Sequence, residues 1–108
     1  MYVHKISERD TKELVPGIIA RTFWGKKMLT SIVELEPNAV LPDHSHPHEQ
    51  QGMVLEGMIT MTIDGTTYEL TAEEYYVIPG GVIHSGTAGP DGCRVIDIFA
   101  PVREEYKY

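Results

Sequence analysis

Residues 44–50 read His-Ser-His-Pro-His-Glu-Gln, and residues 79–84, further along the chain, read Pro-Gly-Gly-Val-Ile-His. Alternate residues of an extended segment point to the same face, so His44 and His46 can present two imidazoles to one ion. His84, on a distant strand, would supply a third imidazole. The pattern therefore predicts a metal site that is built from two separate segments.

Pro47 decides whether Gln50 can join this site. A straight strand would separate the Cα atoms of His46 and Gln50 by about 13 Å, whereas the ligands of one metal ion lie roughly 2.0–2.2 Å from it. Proline lacks a backbone donor and disfavours helix at the preceding residue, so we expect the chain to bend at Pro47. The bend would return Gln50 toward the histidines and leave His48 outside the site.

Composition limits the classes of partner. The 108-residue chain has a formal net charge of −7, which disfavours binding to nucleic acid or to an anionic membrane because both attract basic surfaces. Its one cysteine, Cys93, excludes an internal disulfide and a thiolate-rich zinc site. We find neither an apolar signal core in residues 1–10 nor an apolar run long enough to cross a membrane, so we expect a cytoplasmic protein.

The length fits one domain, residues 1–108, with a core at about residues 17–100, an N-terminal arm and a charged C-terminal tail. Residues 8–14 are expected to form either a turn of helix or an edge arm. The tail, residues 103–108, is expected to lie on the surface.

Short β-rich runs with turn residues between them recur throughout the core, and no sustained helical period is present. The clearest hairpin joins residues 58–63 to residues 66–70 through Asp64-Gly65, a pair suited to a two-residue type I′ turn. Gly57 and Gly89-Pro90 are predicted to separate strands. The spacing predicts an all-β fold, either a small barrel or a jelly roll. The other predicted strands are residues 18–23, 28–35, 52–55, 75–78 and 94–99.

At residues 38–84 the chain resembles the small single-domain cupins, which are double-stranded β-helix barrels. The first cupin motif, G-x5-H-x-H-x3-E-x6-G, aligns with Asn38, His44, His46, Gln50 and Gly57. The second, G-x5-P-x-G-x2-H-x3-N, aligns with Glu73, Pro79, Gly81, His84 and Ala88. The resemblance implies a divalent transition metal, which could be zinc, nickel, iron, manganese or cobalt, bound by His44, His46, Gln50 and His84.

Three departures from the motifs carry information. Asn38 replaces glycine at small cost because asparagine tolerates positive φ, but Glu73 does not, so we expect its turn to differ in type. Gln50 replaces glutamate, and three neutral imidazoles with a neutral amide leave the charge of a divalent ion uncompensated. Such a site favours an anionic substrate.

Residues 44–57 and the run Asp-Ile-Phe-Ala-Pro-Val-Arg at residues 97–103 are similar to the pectin-degradation (KdgF-like) cupins. Those enzymes convert 4,5-unsaturated uronates, released by pectin or alginate lyases, into linear ketonised sugar acids. The resemblance implies that Asp97 transfers a proton and that Arg103 holds a small anionic sugar acid. Independently, residues 95, 97 and 99 share one strand face, so Asp97 and Phe99 point either both into the barrel or both away from it.

Two other functions are compatible with the same residues. Three neutral nitrogen ligands suit a ferrous dioxygenase, and a cupin can also bind a small molecule or sugar without catalysis. A homodimer is expected because small barrels leave apolar strand faces and edges that pairing covers.

Overall fold

The computed structural model describes residues 2–108, which form mainly antiparallel strands and thus confirm the all-β prediction. Two three-residue 3₁₀ helices, Ile6–Glu8 and Glu104–Tyr106, lie near the ends of the chain. No helix within residues 2–108 has the length and apolar character needed to span a bilayer. The strands are β1 (Lys12–Val15), β2 (Ile18–Trp24), β3 (Leu29–Leu35), β4 (Val40–His44), β5 (Glu49–Ile63), β6 (Thr66–Thr71), β7 (Tyr75–Ile78) and β8 (His84–Ala100).

The two long strands, β5 and β8, pair with each other along most of their length and belong to both walls of a barrel. The first part of β5 also pairs with β7, and the last part of β8 continues to β3, β2 and β1. The remaining parts of the two strands pair with β6 and β4. This arrangement is a jelly-roll barrel whose interior is filled by apolar side chains from both walls.

The long strands bend at positions where the sequence predicts strand ends. Gly57 has φ +77°, and a Cβ atom there would overlap the carbonyl oxygen of Gly92. The register of β5 against β8 shifts on both sides of Gly57. The predicted separations at Gly57 and Gly89-Pro90 are therefore wrong, because the backbone passes through both with irregular pairing instead of ending.

The tight turns follow the positive-φ requirement of the motifs. Asp64 and Gly65 have φ of 49° and 82°, which confirms the predicted hairpin turn, and Asn38 has φ 62°. The expectation that the turn at Glu73 differs in type is wrong, since Glu73 also has positive φ, 73°. Its backbone N–H donates to the carbonyl oxygen of Val54 at 2.9 Å, which helps to hold this disfavoured conformation.

Two strands complete the barrel edges. β1 pairs with β2, so of the two alternatives for residues 8–14 the edge arm is correct. β4 was not predicted as a strand, because Pro42 and the polar residues around it are unfavourable for strand formation. It nevertheless pairs with the first part of β8.

The C-terminal tail packs against its own barrel. Val102 is buried in a cluster with Phe99, and Tyr106 packs against that cluster. The Thr22 hydroxyl donates to the carbonyl oxygen of Tyr106 at 2.6 Å. The expectation that the tail lies on the surface is wrong for Tyr106 and for Arg103, whose side chain is only 13% exposed, because apolar neighbours draw the tail inward.

Candidate metal centre

Three histidines from two distant segments meet inside the barrel. His44 ends β4, His84 begins β8, and the two residues are direct partners in the β4–β8 ladder. The ring centroids of His44 and His84 lie 4.1 Å apart, and those of His46 and His84 lie 5.1 Å apart. One ligand nitrogen of each histidine lies within 4.8 Å of the other two. These three residues, hereafter the His triad, could hold a metal ion.

Backbone hydrogen bonds orient all three imidazoles. Each Nδ1 atom of the His triad lies 2.8–3.0 Å from a carbonyl oxygen, which can only accept, so Nδ1 carries the proton and Nε2 offers a lone pair. The Nε2 atom of His84 is buried and has no hydrogen-bond partner among residues 2–108. The carbonyl oxygen of Pro42 accepts from His44, that of His48 from His46, and that of Val82 from His84.

Burial keeps His46 and His84 neutral, which is the protonation state that a metal requires. Loss of hydration, together with the charges of neighbouring histidines and of Arg103, lowers the pKa of His84 to about 4. Burial, followed by the charge of Arg103, also lowers the pKa of His46. The two imidazoles are therefore uncharged ligands near neutral pH.

Gln50 places a further possible donor atom beside the His triad. The predicted bend lies at Pro47 and His48, and it brings the Oε1 atom of Gln50 to 3.0 Å from the Nε2 atom of His46. Both atoms carry lone pairs, so they repel each other unless a cation lies beside both. Ligands at right angles on a six-coordinate ion, with bonds of about 2.1 Å, are about 3.0 Å apart. The donor set thus fits a divalent transition metal.

Asp97 lies next to this donor set, on the inward face of β8. Asp97 and Phe99 are 8% and 2% exposed, so of the two alternatives for this face the inward one is correct. Burial raises the pKa of Asp97 to about 6, against the opposing effects of hydrogen bonds from Tyr76 and Gln50 and of the positive charge on Arg103. Because a carboxylate can only accept, the Gln50 amide nitrogen faces Asp97 and its oxygen faces the His triad.

Tyr76 and Gly52 also belong to the site, and neither is among the site residues that were predicted from the sequence. The Tyr76 hydroxyl donates to Asp97 Oδ1 at 2.5 Å. Gly52 pairs with Tyr76 on one side and with Asp97 on the other, and a Cβ atom at Gly52 would come within 2.5 Å of both hydrogen-bonded oxygens. A glycine inside a strand run was the available signal, since it often marks a close approach of this kind.

Arg103 reaches the same interior from the tail. Its guanidinium carbon lies 3.9 Å from the ring centroid of Tyr106 and 5.1 Å from that of Phe99. Its Nε atom donates to Glu105 at 2.6 Å. A partly buried guanidinium with further N–H donors is suited to binding a carboxylate.

One cavity of about 50 Å³ connects these groups. A water molecule needs about 10–15 Å³ by this measure, so there is room for an ion with a few waters or for the reacting end of a small ligand. The polar lining residues include His44, Gln50, Tyr76, His84, Asp97 and Arg103, and much of the remaining lining is aliphatic.

Comparisons with known proteins agree with this architecture. The sequence model of the cupin domain family matches residues 31–99 of this chain. Dimethylsulfoniopropionate lyase DddW of Ruegeria pomeroyi is 36% identical over 75 residues, which are 69% of this chain and 49% of the lyase. The HTH-type transcriptional regulator PuuR of Escherichia coli is 42% identical over 57 residues, which are 52% of this chain and 31% of the regulator.

The chain therefore spans about half the length of the lyase and about a third of that of the regulator. Among solved structures, KdgF from Halomonas sp. superposes with a TM-score of 0.85 at 27% identity, and the match covers 92% of each chain. The match to the cupin family model covers more than half of this chain. The jelly-roll barrel and its His triad are consistent with that match. The chain belongs to the cupin domain family.

Proposed function

We propose that this cupin is a metal-dependent enzyme that converts 4,5-unsaturated uronates into linear ketonised sugar acids. The observation that carries the proposal is one cavity lined by members of the His triad, Gln50, Asp97 and Arg103. The likeness to KdgF from Halomonas, at 27% identity over nearly the whole chain, supports it.

The His triad and Gln50 would hold a divalent metal, and the bound ion would act as a Lewis acid on a substrate oxygen. All four donors are neutral, so they would not cancel the positive charge of a divalent ion bound in the cavity. Arg103 adds a second positive charge beside it. This electrostatic field favours a carboxylate substrate over a neutral sugar.

Asp97 is the group that we assign to proton transfer. Hydration of the unsaturated ring adds a proton to C4 and a water oxygen to C5, and the resulting hemiketal opens to the linear keto acid without oxidation or reduction. Protonated Asp97 would donate to C4 and would regain a proton from the attacking water. Its pKa of about 6 lies close enough to neutrality for both directions of transfer.

The neighbours of Asp97 hold its carboxyl group in place during this step. Tyr76 donates to Oδ1, and the amide of Gln50 contacts the same carboxyl group. Arg103 would bind the substrate carboxylate through the N–H groups that remain beside its bond to Glu105. These contacts would orient the C4–C5 bond toward Asp97.

The test is an assay of the purified chain with 4,5-unsaturated galacturonate, following loss of the enol-ether absorbance. Protein stripped with a chelator and then loaded with zinc, nickel, cobalt, manganese or ferrous iron is compared with the stripped form. We expect turnover only with metal, and loss of turnover in His84→Gln. His48→Gln is the matched control, because the hydrogen bond between His46 and His48 uses the backbone carbonyl of His48, which the substitution keeps. Equal rates with and without every metal would reject the proposal.

A second candidate is elimination from dimethylsulfoniopropionate, favoured by the 36% identity to the lyase DddW. Here Asp97 would remove the proton next to the carboxylate, and dimethyl sulfide would leave with its electron pair to give acrylate. Arg103 would again bind the carboxylate. Release of dimethyl sulfide by protein that is inactive on the uronate would select this reaction.

The remaining alternatives have distinct signatures in the same preparations. Oxygen uptake under ferrous loading would indicate a dioxygenase. Recovery of a bound ligand in unchanged form would indicate a binding module, a role that the partial likeness to the regulator PuuR also suggests.

We also propose that the chain forms a homodimer. Several large apolar side chains are exposed on the barrel, among them Val40, Tyr75, Val77 and Ile83, each more than half exposed. Pairing of two chains would remove such surface from water. Sedimentation at micromolar concentration tests this expectation, and a monomer mass would contradict it.

A further inference from the structure

Five neighbouring strands each place one residue in a single row across the inner wall of the barrel. Thr22 pairs with Ser31, Ser31 with Asp97, Asp97 with Gly52, and Gly52 with Tyr76. The four side chains are 0–8% exposed, and we call these five residues the polar row. Adjacent partners in an antiparallel ladder have Cβ atoms about 5 Å apart, so the row is continuous.

All but one of the hydrogen-bonding side chains in the polar row have a partner inside the protein. Thr22 donates to the carbonyl oxygen of Tyr106, and Tyr76 donates to Asp97. The Ser31 hydroxyl is 1% exposed and has no partner among residues 2–108. A buried hydroxyl without a partner destabilises a fold, and alanine would fill nearly the same space without that penalty.

The position of Ser31 relates this hydroxyl to the candidate site. Ser31 lines the same cavity as Asp97 and His84. Leu29 and Val33, its neighbours on the same face of β3, are buried and apolar. The hydroxyl therefore lies beside Asp97 in the cavity wall and between two apolar side chains of its own strand, and a few such hydrogen-bonding points commonly set the orientation of a bound ligand.

We propose that the Ser31 hydroxyl binds a hydroxyl group of the ligand next to Asp97 and so selects polyhydroxylated acids over acids without hydroxyl groups. The inference rests on the proposed function for naming a uronate as that acid. Ser31 is a specificity-determining residue in this account, and it takes no part in proton transfer.

The experiment compares wild type with Ser31→Ala, both loaded with the same divalent metal. Ser7→Ala, at an exposed position, is the matched control. Dissociation constants are measured for D-galacturonate and for tetrahydropyran-2-carboxylate, an acid of the same ring size without hydroxyl groups. We expect Ser31→Ala to lower the preference for galacturonate about three- to ten-fold, the value of one neutral hydrogen bond, and Ser7→Ala to leave it unchanged.

A second measurement separates binding from a structural role. Because the Ser31 hydroxyl has no partner within residues 2–108, Ser31→Ala without ligand should melt at the wild-type temperature or above it. A melting temperature lowered by more than about 4 °C would mean that the hydroxyl supports the fold, and it would overturn the proposal. An unchanged preference between the two acids, or no such preference in wild type, would also overturn it.

Turnover of 4,5-unsaturated galacturonate distinguishes this inference from the proposed function. Wild type could bind hydroxylated acids preferentially without turning over the uronate. If Ser31→Ala then loses that preference, the result would support the role of Ser31 and reject the uronate reaction. Turnover with the same KM and kcat in Ser31→Ala and wild type would support the reaction and reject Ser31. A raised KM with little change in kcat would support both.

Discussion

The burial of Asp97 predicts that Asp97→Asn stabilises the metal-free protein above pH 6. The pKa of this carboxyl rises from its ordinary value of 3.8 to about 6 on folding. Each pKa unit corresponds to about 1.4 kcal/mol, so the ionised carboxylate destabilises the folded state by about 3 kcal/mol at neutral pH. Asparagine has nearly the same shape and no charge to bury.

The sign follows from proton binding. The folded state holds the Asp97 proton more tightly than the unfolded state, so this group lowers stability as pH rises from about 4 to about 6 and has a constant effect above that range. About 2 kcal/mol of the change lies between pH 4.5 and 7.5. Asparagine accepts fewer hydrogen bonds than a carboxylate, which adds an offset that does not vary with pH. The pH-dependent part of the difference between the two proteins is therefore the decisive quantity.

Urea denaturation with chelator present, followed by circular dichroism at pH 4.5, 5.5, 6.5 and 7.5, measures this difference. The lowered pKa values of His46 and His84 make both proteins less stable in acid, and this contribution cancels in the comparison. Asp10→Asn, at an exposed position, controls for the loss of one negative charge. A difference between wild type and Asp97→Asn that stays constant within about 0.5 kcal/mol over this range would refute the reasoning.

Three further predictions concern packing, metal and thiol chemistry. Gly52→Ala should lower the free energy of unfolding by about 1–3 kcal/mol, because its methyl group would overlap buried oxygens. Gly25→Ala, at a position with open space around it, should leave the free energy of unfolding unchanged, and equal urea midpoints for the two variants would contradict the prediction. A divalent metal at 100 times its dissociation constant should stabilise wild type and His48→Gln by about 2.7 kcal/mol, and His84→Gln far less. Thermal unfolding measures this gain in stability, and similar gains in all three proteins would argue against the site. Burial raises the pKa of Cys93 to about 11, so a disulfide reagent at pH 8 should modify this thiol slowly in the native protein and rapidly in guanidinium, and fast native reaction would refute the assignment.

Local sequence rules predicted the parts of the site that depend on neighbouring residues. The bend at Pro47 and the return of Gln50 toward His46 follow from the restrictions of proline and the short reach of the segment. The shared face of Asp97 and Phe99 follows from the two-residue period of a strand. These features need no knowledge of the rest of the barrel.

Cross-strand register decided the rest. Tyr76 and Ser31 stand beside Asp97 only because β7, β5, β8 and β3 pair in one register, and a shift of one residue would turn each side chain to the opposite face. Glu73 keeps positive φ because its backbone bonds to Val54 on a neighbouring strand. Neither result could be obtained from local preferences.

The amino-acid sequence by itself determined the class of fold and the donor types available for a metal, through strand alternation, turn chemistry and the spacing of His44, His46 and His84. Only the tertiary structure decided which way each imidazole and the Gln50 amide point, that Asp97 is buried beside a tyrosine, and that the tail brings Arg103 to the same cavity. The physical reason is range. Backbone preferences act between neighbours in the chain, whereas these contacts join residues that meet only when the whole barrel packs.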